Sequence, residues 1–243
     1  MTITTKPLHQ IAEEYPSAVT IFERFEIDLC AWGDKALGET CASLKLSTDQ
    51  VLEKLEQLCL PEGAVRDAAS LSLTQLIQRI VRVHHRRVRQ DLPALVRMAG
   101  RLASTHGNKV ETYATIAREV ETLHSDMLAH IEKEEQVLFP VIAEMEEKSG
   151  GFYAAGCACF SSVRQPIARM KQEHETANRT MNLLRQHTNA FHPPEKACST
   201  QRALYGGLRN FETDLQEHMR LEDELLFPRV INLETELQGR SQS

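Results

Sequence analysis

Two stretches of this chain place an imidazole and a carboxylate four residues apart inside what otherwise reads as an amphipathic helix. HIEKEEQVLFP runs from His130 to Pro140, and HMRLEDELLFP from His218 to Pro228. Side chains at i and i+4 of a helix share one face, so His130 and Glu134 reach a common point, as do His218 and Glu222. Both pairs sit where the 3–4 stepping of apolar residues calls for core. One series is Val120, Leu123, Met127, His130, Glu134, Val137 and Leu138; the other is Leu208, Phe211, Leu215, His218, Glu222, Leu225 and Leu226. A shift of 88 residues carries one onto the other, Phe139-Pro140 onto Phe227-Pro228 and Asp126 onto Asp214 included. A buried, unpaired carboxylate is strongly destabilising, and a buried imidazole must also find partners. One such pair could be a local hydrogen bond or a solvated edge. The same pair twice in one register points to ligands.

The remaining helical stretches supply more of the same chemistry. Ile167, Met170, His174, Ala177, Met181 and Leu184 trace another inward face with His174 at its centre. On the first long stretch Leu73, Ile77, Val81, Val88, Leu92 and Leu95 face inward, with His84 and His85 on either side of the centre. Periodicity slightly favours His84 of the two. Histidines from four helices and two carboxylates form a mixed imidazole–carboxylate set. Such a set suits iron, manganese or zinc, and its carboxylates can bridge two metals. No thiolate belongs to it, which argues against a structural zinc site. Asp126 and Asp214, one turn before a candidate ligand, either orient ring N–H groups or lie solvated on a helix flank. His106, His124, His187 and His192 read as surface residues, and no residue is assigned a catalytic role.

These side chains need long helices to hold them. From about residue 71 the pattern predicts four, over roughly 71–104, 109–147, 163–189 and 200–235, the first with Pro93 inside it or breaking it. Four long helices with these connections predict an all-α antiparallel four-helix bundle. Ahead of it, Pro7 and Pro16 bracket a short helix, and Ser17 opens a second. A turn over Asp28–Gly33 and a helix over Ala36–Leu44 follow, and Ser47 caps LSTDQVLEKLEQL. CLPEGAVRDAAS is the linker between the two parts. The loop at 149–162 is longer than a bundle requires.

Composition agrees. Aromatic residues are only 5% of the 243 and apolar residues 42%, which favours helices over a β-sandwich. The net charge of −6, without a basic tract, makes nucleic acid an unlikely partner. No apolar run approaches membrane length, and MTITTKPLHQIAEEYP lacks the layout of a signal peptide, so the expectation is a cytoplasmic protein without a membrane partner. The six cysteines are scattered and contain no CxxC pair, which speaks against a disulfide framework. Cys157 and Cys159, in GGFYAAGCACF, are either incidental thiols or a metal- or redox-responsive pair.

With these motifs the sequence resembles, over nearly its whole length, the repair-of-iron-centres (RIC) proteins of the ScdA/YtfE/DnrN type. HIEKEEQVLFP and HMRLEDELLFP match the two His-x-x-x-Glu helices, KQEHE the third-helix histidine, and PPEKACST the approach to the last helix. The resemblance implies a small N-terminal ScdA-type helical domain over 1–62 and a hemerythrin-like di-iron bundle over 71–238. In the first helix the family ligand stands seven residues before the Leu of a Leu-Pro pair. Leu92-Pro93 is that pair here, which selects His85 over His84. The implied ligands are His85, His130, Glu134, His174, His218 and Glu222. They would hold two iron ions per chain, bridged by Glu134, Glu222 and an oxo or hydroxo group.

The function so implied is restoration of iron–sulfur clusters damaged by nitric oxide or peroxide, by donating iron to damaged or apo iron–sulfur proteins while the N-terminal domain gates or docks. Four histidines for two irons leave open positions for NO or O₂. An NO-binding or NO-reducing protein is therefore the alternative, and an oxygen-binding or sensing module a third. Assembly as monomer or homodimer stays open. The N-terminal part departs from the family at Asp28-Leu29-Cys30-Ala31-Trp32-Gly33, where Asp-Phe/Tyr-Cys-Cys-Gly-Gly is usual. One thiol is absent, so a role needing both does not carry over, and Cys30 acts singly or with Cys41.

Overall fold

The computed structural model describes residues 3–58, 68–106, 111–149 and 162–240. Among them the chain is helical throughout, without a strand beyond one isolated bridge between Pro7 and Ala36. No described helix is long and apolar enough to cross a membrane. Most of the expected linker, Cys59 and the Cys157/Cys159 loop lie outside the described residues. Contacts group the chain into two units. The first is Met1–Pro61 with Arg87–His124 and Thr180–Thr213; the second is Glu62–Arg86 with Ser125–Arg179 and Asp214–Ser243.

In the first unit the N-terminal helices are α1 (Leu8–Glu14), α2 (Ala18–Arg24), α3 (Leu29–Trp32), α4 (Leu37–Ser43) and α5 (Thr48–Leu58). They bury Leu8, Ile11, Phe22, Leu37, Cys41, Val51 and Leu55 completely. The turn expected over Asp28–Gly33 is instead the short helix α3. Asp28 accepts the Cys30 N–H at 2.8 Å and so satisfies a donor that the helix start leaves free. Cys30 Sγ and Thr200 Oγ1 share a hydrogen bond at 2.9 Å, and Arg101 pairs with Asp28 at 2.6 Å. Gly33 is fixed by close approach, since a Cβ there would come within 2.2 Å of Ser199 Cβ and 2.4 Å of the Leu29 carbonyl. The first glycine position of the family pattern is occupied here by Trp32, so a side chain is accommodated there.

The long helices that follow are α6 (Leu73–Ile80), α7 (Arg86–His106), α8 (Glu111–Lys133), α9 (Phe139–Ser149), α10 (Arg164–His187), α11 (Ser199–Arg220) and α12 (Phe227–Arg240). Three single π-helical turns join consecutive ones: Val81–His85 between α6 and α7, Glu134–Leu138 between α8 and α9, and Leu221–Leu226 between α11 and α12. Pro93 lies within α7 without breaking it. Two of the π turns have a sequence cause. Pro140 and Pro228 offer no N–H to the carbonyls of Gln136 and Glu224, and their rings clash with those carbonyls. Widening the preceding turn relieves both problems.

In the second unit the helix ends fix the packing. Glu146, near the end of α9, accepts the Leu73 and Thr74 N–H groups at 2.7 and 2.8 Å, capping the start of α6. Glu234, in the middle of α12, accepts the Val163 N–H at 2.8 Å just before α10. Glu146 and Glu234 obey the same 88-residue shift as the His-x-x-x-Glu pairs. Each cap sets the start of one helix beside the second half of the next, so the helix pairs run antiparallel. Between them lies a core that includes Leu76, Ile80, Leu138, Ile142, Ile167, Leu221, Leu226 and Val230.

Candidate metal centre

Beside that core the second unit gathers His85, His130, Glu134, His174, His218 and Glu222, none more than 2% exposed. They form two groups of four. His85, Glu134, His218 and Glu222 make one, and His130, Glu134, His174 and Glu222 the other, each with its ligand atoms within 4.8 Å of one another. Both carboxylates belong to both groups. Glu134 Oε2 stands 3.3 Å from His85 Nε2 and 3.5 Å from His130 Nε2. Glu222 puts Oε1 2.8 Å from His218 Nε2 and Oε2 3.0 Å from His174 Nε2. Across each group the paired Nε2 atoms lie 3.1 Å apart (His85, His218) and 3.2 Å apart (His130, His174).

All six residues expected to ligate are thus brought together, and the choice between adjacent histidines falls geometrically on His85. His84 is also buried, but its Nδ1 donates to Asp214 at 3.0 Å and its ring stacks on His218. Periodicity leaned toward His84 because it takes no account of the π turn over Val81–His85, which adds a residue to the register and brings both inside. The same effect corrects the expected inward position of Val137. Beyond the wide turn at Glu134 the inward face resumes at Leu138 and Phe139, and Val137 is left 39% exposed.

Asp126, which is exposed, takes the solvated alternative, and three of the four ligand rings are held by other carboxylates. Asp214 serves His84 rather than one of the six. His85 Nδ1 donates to Glu135 at 2.7 Å, His130 Nδ1 to Glu173 at 3.1 Å, and His174 Nδ1 to Asp223 at 3.1 Å. Lys133 and Arg169 hold Glu173 in turn, at 2.6 and 2.9 Å. Glu135 and Asp223 stand immediately after Glu134 and Glu222 and repeat at the same 88-residue interval, a signal that would have found them. The LFP ends belong to this arrangement as well. Phe139 stacks on His85 with centroids 5.6 Å apart, and Phe227 on His174 at 6.2 Å. Each repeat therefore supplies a His and a Glu to the centre and clamps a histidine of the neighbouring helix by ring stacking and by its second carboxylate. His187 and His192 are exposed and His124 is half-buried; the side chain of His106 lies outside the described residues.

The electrostatics are those of a cation site. Burial, then the facing Glu222 carboxylate, pushes Glu134 up to about 8. Against the same burial, His218, His174 and His85 hold Glu222 well below the usual carboxylate range. His85 and His174 rise to about 10, because the carboxylates around them outweigh the cost of burying the charge. Burial lowers His130 to about 4 and also lowers His218. Among the described residues, both Glu134 oxygens and Glu222 Oε2 are buried without a hydrogen-bond partner. Carboxylate oxygens left so are expensive unless something positive accepts them. Imidazole nitrogens and carboxylate oxygens are the donor types that suit iron, so the residues fit such an ion.

Comparison with known proteins agrees with this geometry. Residues 76–230 match the hemerythrin HHE cation binding domain, and residues 4–59 match ScdA_N, a domain of unknown function. The iron-sulfur cluster repair protein YtfE of Pectobacterium atrosepticum is 32% identical over 231 residues, covering 95% of this chain and 99% of that protein. Its namesake in Yersinia pseudotuberculosis is 34% identical over the same shares. Resemblance along the full length, with the centre seated in the matched bundle, shows that the chain belongs to the repair-of-iron-centres family of YtfE type, built on a hemerythrin HHE cation binding domain.

Proposed function

We propose that this chain is a di-iron protein that takes part in the repair of iron–sulfur clusters damaged by nitrosative and oxidative stress, by donating iron. His85 and His218 would hold one ion, His130 and His174 the other, and Glu134 and Glu222 would be shared. The observation that carries the reading is the pair of four-residue groups with both carboxylates in common, and with both Glu134 oxygens and Glu222 Oε2 buried without a hydrogen-bond partner among the described residues. It stands in a chain that resembles named iron-sulfur cluster repair proteins over 95% of its length. Iron held by so few protein ligands keeps open coordination positions and can exchange.

The protein's own residues do the rest. Glu135, Glu173 and Asp223 orient three of the rings, while Phe139 and Phe227 cover two of them and keep water off. We take the N-terminal domain to span 1–62 and the di-iron bundle 71–238, and the partners to be damaged or apo iron–sulfur proteins. Cys30, Cys41 and Cys198 are free thiols, which suits action in the reducing cytoplasm.

The test is reactivation of an apo iron–sulfur enzyme by the iron-loaded protein, against the same quantity of free ferrous iron. Faster or more complete recovery with the protein is expected. Equal rates would rule out specific donation. Metal analysis of Glu222→Ala, expected to lose most of its iron while keeping its helix content, ties the effect to this centre.

A further inference from the structure

Resting on the di-iron reading above, we infer that the two halves of the centre are unequal: the subsite of His85 and His218 holds its ion more loosely than that of His130 and His174, because His218 lacks an acceptor for its second ring nitrogen. An imidazole that ligates through Nε2 carries its proton on Nδ1, and a hydrogen bond from Nδ1 both fixes that tautomer and strengthens the ligand. His85, His130 and His174 each have such a bond, to Glu135, Glu173 and Asp223. Each of those three rings has an acceptor in place for the Nδ1 proton that the ligating tautomer carries.

His218 is set the other way. Its Nδ1 is buried and has no partner among the described residues, while its Nε2 lies 2.8 Å from Glu222 Oε1. That bond belongs to the tautomer that cannot ligate through Nε2. To ligate, His218 must shift its proton to Nδ1, give up the bond to Glu222 and leave a buried N–H without an acceptor, which is costly. At His130 and His174 the Nδ1 N–H keeps its carboxylate acceptor when Nε2 ligates, so neither ring leaves a buried donor unpaired.

The cause lies in a broken repeat. Exchanging the two helix pairs of the unit brings the first long helix onto the third, so that His84, just before His85, stands where Glu173 stands just before His174. Glu173 serves His130. His84 does not serve His218 in the same way. Its ring lies flat against that of His218, with centroids 5.5 Å apart and planes within 7°, and its Nδ1 is committed to Asp214. The position that would supply a carboxylate supplies a second imidazole already engaged elsewhere.

The full-length protein, loaded anaerobically with two equivalents of ferrous iron, is challenged with a chromophoric chelator. Release is expected in two phases of equal amplitude, with rates roughly 10- to 100-fold apart, the range typical of losing a ring's hydrogen-bond partner. Glu173→Gln, which exchanges the carboxylate acceptor of His130 Nδ1 for a weaker neutral amide, should quicken the slow phase alone, and Glu135→Gln the fast phase alone. Titration with zinc followed by ring-nitrogen NMR should show His130 and His174 ligating at the first equivalent while His218 keeps its proton on Nε2. Binding of fewer than two equivalents overturns the di-iron reading and the inference with it. Two equivalents leaving in a single phase, Glu173→Gln acting on the fast phase, or His218 ligating at the first equivalent overturns the inference alone.

Discussion

At the level of single residues the centre is a contest between burial and charge. Glu134 and Glu222 face each other out of water, and two carboxylates so placed cannot both ionise cheaply. Before a metal arrives, His85 and His174 relieve them by holding protons, with values near 10. A cation needs the same nitrogen lone pairs, so its uptake displaces those protons. The sign follows. With the pKa of both histidines raised, competition from protons is strongest at and below neutral pH and fades as pH rises toward 10. Metal affinity should therefore increase with pH across that window. Calorimetric titrations in buffers of different ionisation heats should show proton release at neutral pH; identical heats in all buffers would contradict this account.

Individual elements are shaped by two devices that the repeat uses twice. The first is the carboxylate cap. Burial works against ionisation of Glu146, but hydrogen bonds from Thr74 and Leu73 prevail and hold its pKa below the usual carboxylate value. A folded-state pKa below the unfolded one contributes stability that is present above the ordinary carboxylate range and is lost as pH falls through the folded value. Glu146→Ala should cost about 0.5–2 kcal/mol at neutral pH, and the difference from the parent should vanish in acid. Thermal melts at the two pH values check both statements. The second device is the π turn before Pro140 and Pro228. Replacing either proline with alanine restores an N–H and lets the turn relax to α geometry, which would misplace Glu134 or Glu222. Pro140→Ala should keep or raise thermal stability while lowering metal affinity by roughly 10-fold, the scale of disturbing a ligand's orientation. An unchanged affinity in competition with a chelator would show that the turn does not set the ligand.

For the whole molecule, the division into two units matters most. All six candidate ligands and their ring partners belong to one unit, and helices α1–α5 belong to the other. Within that other unit the N-terminal helices are tied to the long ones. Asn210 donates to the Glu13 carbonyl at 2.6 Å, Arg97 pairs with Glu23 at 3.2 Å, and a Cβ at Gly206 would meet the Glu13 side chain within 2.4 Å. Deleting residues 1–62 should leave metal stoichiometry intact while lowering the melting temperature, by ~2–4 °C for each kcal/mol of stability lost. Metal analysis and a thermal melt on the shortened chain test it, and loss of metal with retained helicity would contradict it.

How much of this could be read from the chain alone differs from feature to feature. The centre was legible because it breaks a rule. His130, Glu134, His174, His218 and Glu222 interrupt apolar series of helical period, and the 88-residue repeat marks the interruption as deliberate. The bundle followed from the same period. Glu135 and Asp223 were within reach of the repeat, but they lie one residue off the inward face that periodicity defines, so an argument from faces passes over them. Three things belonged to tertiary structure. His85 took the place beside Glu134 because a π turn shifts register within a stretch whose hydrophobic pattern is blind to it. Asp214 turned to His84, and Glu173 to His130, because ring partners are chosen across helices, where sequence spacing carries no distance. His218 Nδ1 was left without an acceptor among the described residues, since whether a buried nitrogen finds one depends on what three other helices bring to it.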